Sequence, residues 1–169
     1  SLENPVQLAS PGSREEKDVL ETFATVFINI DPVSFQEILE KSLPAFYELA
    51  MGNNILLHVP QFFLTNDSTS SNFAGLLLEF LIEKLPELGS TDSLRSTVLL
   101  RLFKMCFMAV TMFPDLNEVI LQPHLAEIII QSMKLSASAK NPINYYILLR
   151  ALFRSIGGGR FELLYKEVL

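Results

Sequence analysis

Three observations predict an all-α chain built as a HEAT-type helical-repeat solenoid, with about eight helices in four hairpins. Apolar residues recur at three- and four-residue steps along most of the length. Proline or glycine punctuates those stripes, and no stretch alternates apolar and polar residues for long enough to make a strand. An internal period also shows: FATVFINIDP from Phe23 and FMAVTMFPD from Phe107 each end an apolar helix at a proline turn. Each leads into a second helix with an interior proline, Pro44 and Pro123. If one helix pair intervenes, the repeat is about 40 residues, the size of a hairpin that cannot bury its stripe alone and must stack on neighbours.

The elements follow in order. Residues 1–12 carry two prolines, a glycine and no period, which predicts a flexible leader before a helical segment over 13–169. Ser13 with Glu16 makes a capping box for a stripe of Val19, Leu20, Phe23, Val26, Phe27 and Ile30. Asp31-Pro32 starts the next helix, bearing Phe35, Ile38, Leu39, Leu43 and Phe46, where Pro44 should kink or restart the backbone. After the turn at 52–54 a short helix over 55–64 is apolar on nearly all sides. A further helix bears Phe73, Leu76, Leu77, Phe80 and Leu81, closed by Pro86 and Gly89.

Asp92 caps a long helix with Leu94, Val98, Leu102, Phe103, Cys106, Val110 and Phe113, ended by Pro114; residues 116–133 continue as another, with a proline at 123. The last element is the most clearly delimited. Asn141 is the expected cap, Pro142 suits the first turn, and Tyr145, Leu148, Leu149, Leu152, Phe153 and Ile156 form one stripe. Gly157 should stop it in the left-handed conformation, and Phe161, Leu163 and Leu164 should fold back as a second helix.

Composition narrows the function classes. A chain of 169 residues, 49% hydrophobic with mean hydropathy +0.31, suffices for a real core. Its longest uncharged run, residues 49–66, contains Gly52, Asn53, Asn54, His58 and Pro60, so no bilayer span is expected and no membrane partner. The polar start lacks a signal peptide, and an initial Ser with a final apolar-periodic segment reads as a piece of a longer chain. A single cysteine, Cys106, gives no disulfide framework and suits a reducing compartment. Asn66-Asp67-Ser68 fits the glycosylation pattern by coincidence in such a chain. Net charge is −6, yet residues 1–84 hold 4 Lys/Arg against 12 Asp/Glu while residues 85–169 hold 9 against 7. Cations scattered one per turn among hydrophobics do not form a nucleic-acid footprint.

No residue pattern carries catalysis. His58 and His124 are far apart in sequence and each neighbours a proline and apolar residues, a setting for packed histidines. Cys106 reads as a small buried hydrophobe. Gly157-Gly158-Gly159 follows a helix and precedes Arg160-Phe161, so it lacks the strand and the Gly-Lys-Ser/Thr of a phosphate loop. No metal-ligand spacing and no cofactor motif occur. Phe62-Phe63 and the isoleucines 128–130 exceed one buried stripe and are expected to cover both faces of an inner layer, or to leave a binding patch. Arg150 and Arg154, one turn apart, with Arg160 beyond, are the candidate partner-binding residues; the competing reading pairs them with Glu162, Glu167 or an acidic helix nearby.

The strings NYYILLRALFRSIGGGRFELLYKEVL, LRLFKMCFMAVTMFP (ending at Pro114), QPHL (122–125) and ATVFINIDPVSFQEI (24–38) closely resemble the TRRAP family, from about Arg14 onward. That resemblance implies a nuclear scaffold segment of SAGA- and NuA4-type histone acetyltransferase coactivators. It also implies partners among the other complex subunits and transcriptional activators, and a kinase-like domain elsewhere in the family that is catalytically dead. No kinase motif occurs in this chain, and no binding residue transfers to it from the family. The alternatives are a generic HEAT adaptor, such as a transport receptor or phosphatase scaffold, and an all-α enzyme with a cavity uniting the two histidines.

Overall fold

The computed structural model describes residues 12–157 together with Phe161, Leu164 and Lys166. Among these residues lie seven α-helices: α1 (Arg14–Ile28), α2 (Pro32–Gly52), α3 (His58–Thr65), α4 (Ser70–Glu83), α5 (Ser93–Met112), α6 (Pro114–Ser138) and α7 (Ile143–Ile156). Two 3-10 segments, Asn54–Leu57 and Leu85–Gly89, lead into α3 and follow α4, and no described residue is in a strand. The expected leader lies outside the described residues except for Gly12, as does most of the expected eighth helix. Phe161 and Leu164 are buried and join the core, so the chain returns onto it after Gly157.

Local chemistry sets three helix starts as the sequence predicts. Glu16 N donates to Ser13 Oγ at 3.1 Å while Ser13 N donates to Glu16 Oε2 at 2.9 Å, closing the capping box of α1. Ser34 N donates to Asp31 Oδ1 at 2.9 Å at the head of α2. Leu94 N and Arg95 N both donate to Asp92 Oδ1 at 3.1 Å at the head of α5.

Elsewhere the expectations need correction. α7 begins at Ile143 with Pro142 in the cap position and no side-chain cap bond, so Asn141 does not cap it. Tertiary bonds fix that turn instead: Asn144 Nδ2 donates to Leu88 O at 3.1 Å and Tyr145 Oη donates to Leu85 O at 2.8 Å. Gly157 is right-handed (φ −71°, ψ −2°), so steric space rather than a positive φ requires glycine there. A Cβ would lie 2.7 Å from the Phe153 carbonyl oxygen. Neither interior proline restarts its helix. Pro44 and Pro123 both lie on exposed positions, as do Glu40 and Val119 one turn before them, so neither ring meets the packed core. The helix expected over 55–64 opens as the 3-10 turn Asn54–Leu57 before α3.

The helices stack in two layers. One holds α1, α3, α5 and α7, packed in that order; the other holds α2, α4 and α6, and α3 with α4 and α5 with α6 bridge the layers. The two proline-bearing helices, α2 and α6, occupy the same layer with α4 between them, which is the spacing the internal period predicts. Stacked helical hairpins of this kind form a HEAT-type solenoid.

The first hairpin departs from the rest. α1 and α2 scarcely touch each other; α1 rests on α3, and α2 on α4, α5 and the 3-10 turn before α3. Phe63 of α3 joins them, its ring edge-to-face with Phe27 of α1 at 5.8 Å, Phe35 of α2 at 5.3 Å and Phe73 of α4 at 5.2 Å. Only half of the α1 stripe is covered in consequence: Val19, Phe23 and Val26 are exposed. Phe62 is half-buried beside the fully buried Phe63, and Ile130 faces outward beside the buried Ile128.

Polar groups finish the helix ends inside the core. The side chain of Asn117, fully buried in α6, donates to Ser70 Oγ and to the Ala109 carbonyl, both at 2.9 Å. Ser70 Oγ in turn donates to Leu64 O, and Thr69 Oγ1 to Phe63 O, each at 2.7 Å. The late α3 carbonyls of Phe63 and Leu64 thereby gain a donor, and the Ala109 carbonyl, which already accepts from Phe113 N at 2.9 Å, gains a second. Asn66 Oδ1 accepts from Ser68 N at 3.0 Å and Ser68 Oγ at 2.6 Å, so the glycosylation-like triplet forms a local turn.

The stripe of α7 divides the same way as that of α1. Leu152 is fully buried, whereas Phe153 is 41% exposed, so the expectation that both are core residues is half wrong. Leu152→Ala should lower unfolding free energy by roughly 2–5 kcal/mol through the cavity it leaves. Phe153→Ala should cost less than about 1 kcal/mol, as at other surface sites. Equilibrium urea denaturation of the two variants checks the order.

Candidate interaction surfaces

Catalytic chemistry finds no constellation among the described residues. His58 lies on α3 and His124 on α6, each half-buried, and no group of three His, Cys, Asp or Glu side chains there could hold a metal ion. Cys106 is completely buried in α5, and burial pushes its thiol pKa far above the usual value. No helix of the described residues is long and apolar enough to cross a membrane.

The outward face of α7 holds two of the three arginines singled out above. Ile143, Tyr146, Arg150, Phe153 and Arg154 recur at three- and four-residue steps and all are exposed, opposite the buried Tyr145, Leu148, Leu152 and Ile156. Arg154 stands in the last turn, where the helix dipole favours a cation. Among the described residues no carboxylate pairs with Arg150 or Arg154; Arg160, Glu162 and Glu167 lie outside them. The result is a strip with Tyr146 and Phe153 beside two cations, the side-chain types that dominate binding hot spots.

A second surface opens between α1 and α2. Because those helices scarcely touch, an apolar groove of about 170 Å³ runs between Phe23 and Phe27 on one side and Ile38, Leu39 and Phe46 on the other. Val59 and Pro60 of α3 help close its floor. Among the described residues Ser42 is the one polar side chain lining it. A third, larger groove of about 520 Å³ borders α2 and α4 with Ile120 of α6, and is lined partly by Ser68, Ser71 and Asn72.

The strongest electrostatic feature has no local signature in the sequence. Arg95 of α5 grips Glu48 of α2 in a two-pronged bond, NH1 to Oε1 at 3.0 Å and NH2 to Oε2 at 3.1 Å, and donates to Glu87 Oε2 at 3.2 Å. Tyr47 Oη donates to the same Glu87 oxygen at 2.8 Å, and Lys84 lies 3.5 Å from Glu87 Oε1. Both cations also stand over the Tyr47 ring, at 5.6 Å and 5.8 Å from its centroid. Burial and the bond to Glu87 raise the Tyr47 pKa, and the bonds to Glu48 lead the rise at Arg95. Burial alone would raise Glu87, but the bonds from Tyr47 and Arg95 and the charges of Lys84 and Arg95 outweigh it, so its pKa falls. Every member is satisfied within the cluster, which therefore works as a brace between α2, the turn after α4 and α5.

The model of the Tra1 HEAT repeat central region matches residues 2–169. The chain belongs to that family. It is 48% identical over 156 residues to the SAGA complex/NuA4 acetyltransferase complex subunit TRA1 of Saccharomyces cerevisiae, covering 92% of this chain and 4% of that protein. It is 48% identical over 156 residues to the human transformation/transcription domain-associated protein, with the same coverages. Identity to the Drosophila melanogaster transcription-associated protein 1 is 44% over 170 residues, 98% of this chain and 4% of the relative. The chain thus spans about 4% of the length of these relatives. The resemblance to the TRRAP family stands, and the two-layer stack is what a central HEAT region requires.

The brace has a pH signature. Because the folded pKa of Glu87 is depressed, its contribution is complete above the ordinary value of 4.5 and is lost as pH falls through the folded value. The stability difference between the native chain and Glu87→Gln should be constant at neutral pH and shrink below about pH 4.5. Urea titrations of both chains between neutral and acid pH measure it.

Proposed function

We propose that the chain is a non-catalytic, protein-binding scaffold segment of a transcription coactivator subunit of the SAGA/NuA4 type, acting in the nucleus. The observation that carries this reading is the family match over residues 2–169, on a fold whose described residues offer surface rather than a reaction site. A stack of hairpins contacts only its neighbours, so its exterior grows with each repeat while its core does not deepen. Such an architecture suits holding other subunits in fixed places, and its partners are the remaining subunits of a histone acetyltransferase complex. A transport receptor or phosphatase scaffold shares the architecture, and only the family match argues against it.

Within that role the outward strip of α7 is the docking site for an acidic segment with interspersed apolar residues, the chemistry of transcriptional activators. Arg150 and Arg154 supply the charge, and Tyr146 and Phe153 the apolar contact; Arg160 is a third candidate cation. The opposite end of the stack is a poor site for such a segment, since residues 1–84 carry 12 carboxylates against 4 cations. Neither nucleic acid nor a membrane is a partner in this reading, and no cofactor is required.

Affinity purification of the intact parent protein from nuclear extract should recover histone acetyltransferase subunits. Recovery of transport cargo or phosphatase subunits in their place would sink the scaffold assignment. Replacing Arg150 and Arg154 together by glutamate should weaken capture of an acidic activation peptide by about tenfold or more, as loss of two interfacial charges does. Fluorescence anisotropy measures this, and an unchanged affinity would remove α7 from the interface.

A further inference from the structure

Charge is divided between the two layers. Helices α2, α4 and α6 hold eight carboxylates against two cations, Lys41 and Lys134. Helices α1, α3, α5 and α7 hold four carboxylates against seven cations. The acidic layer also carries the groove of about 520 Å³, whose lining is mixed rather than apolar. That groove shares Gln36, Ser71, Asn72 and Ile120 with an adjoining cavity of about 190 Å³, which reaches Gly75 and Glu79. The two make one path along α4, floored by small residues and walled by Val33 of α2 and Ile120 of α6.

We propose that this path docks an extended, lysine- or arginine-rich segment of another protein. The floor selects an extended occupant. A helix has its backbone groups paired and seeks an apolar seat, whereas an extended segment brings unpaired N–H and C=O groups that need partners. Gln36 offers an amide and Ser71 a hydroxyl, and no hydrogen bond among the described residues occupies either. Gly75 keeps the floor low enough for a backbone to approach: a Cβ there would meet nothing nearer than Ile120 Cγ2 at 3.8 Å. From Ser71 to Glu79 α4 rises about 12 Å, which about four extended residues span. The charges select a basic occupant. Glu79 lines the path, and Glu40 and Glu83 stand one turn beyond Gln36 and Glu79 respectively. All three are exposed, and none pairs with a cation among the described residues. An acidic segment of the kind assigned to α7 would be repelled here, so the two surfaces take different partners. A second copy would bring its cations on α5 and α7, helices whose backbone groups are already paired, and so does not answer the polar floor.

The test is fluorescence anisotropy with the 169-residue chain and a labelled peptide of about ten residues, lysine alternating with valine and proline. Binding should saturate, and the same peptide with glutamate for lysine should not bind. Gly75→Leu and Gln36→Trp fill the path without changing its charge, and each should weaken binding at least about tenfold. Glu40→Gln with Glu79→Gln should weaken it about fivefold, through loss of two exposed ion pairs. Glu15→Gln with Asp18→Asn removes as much charge from α1, about 15 Å of helix before Ile28 and beyond the screening length, and should leave affinity unchanged. Absence of saturable binding would overturn the proposal, and so would unchanged affinity in the two filled variants. An equal loss in both charge-removed pairs would reduce the effect to general attraction by an acidic chain. A helix-forming peptide with as many lysines that bound as tightly would remove the extended occupant. Peptide displacement as chain concentration rises would assign the path to a second copy. If Gly75→Leu unfolds, Gln36→Trp decides, because Gln36 is exposed. None of these outcomes involves the α7 strip or the identity of the complex, so the scaffold assignment can fail separately.

Discussion

Burial of one broad face of α5 is the constraint that orders the rest. Val98, Leu99, Leu102, Phe103, Met105, Cys106, Phe107, Ala109 and Val110 are all essentially inaccessible and together take up about half of the helix circumference, while Thr97, Arg101, Lys104 and Thr111 keep the other side polar. An apolar face that wide cannot be covered by one neighbour, so several must enclose it. α3 and α7 flank it within its layer, α4 and α6 cover it from the other, and α2 reaches its head. Arg95 at that head then does in charge what Phe103 and Phe107 do in packing. It fixes α2 and the turn after α4 against the helix with the widest buried face.

The consequences thin out towards the ends of the stack. α1 has no α5-like neighbour and is held through α3, chiefly at the edge-to-face cluster around Phe63. α7 is held on one face by α5 and α6, and its opposite face keeps Ile143, Tyr146 and Phe153 in contact with solvent. Both helices therefore bury only the part of their apolar surface that a neighbour covers, and so do α2, with Val33, Ile38 and Leu49 exposed, and α6, with Leu116, Val119, Ile130 and Met133 exposed. An apolar stripe and its tertiary cover are distinct.

That distinction explains what could be read from the residues and what could not. Helix class, order and most boundaries were legible because stripes, prolines and the caps Ser13, Asp31 and Asp92 act within one or two turns. The start of α7 was not, since Asn144 and Tyr145 anchor it to carbonyls of residues 85 and 88, which no local pattern records. The Arg95 brace was invisible for the same reason: Glu48 lies 47 positions away and Tyr47 meets Glu87 across 40. Periodicity revealed that α1 and α7 carry broad apolar surfaces, but it cannot say which part a neighbour covers. Phe153 and Phe23 were consequently grouped with residues that are buried. Of the candidate site, Arg150 and Arg154 are visible in the sequence as cations one turn apart, whereas Phe153 falls in the apolar stripe by period and Tyr146 carries no signal of its own.

Charge gives the stack a direction. The α1–α2 end is acidic, with eight carboxylates against three cations, and the outward strip of α7 carries Arg150 and Arg154 without a carboxylate. Two copies meeting through the α1–α2 face would bring like charges within a Debye length of about 8 Å, where salt does not fully screen them. Pairing of that face with a basic helix incurs no such repulsion and buries the same apolar wall. The charge pattern therefore disfavours pairing of two acidic α1–α2 faces, and the residues that impose this preference lie at the edge of the stack, outside the core that determines the fold.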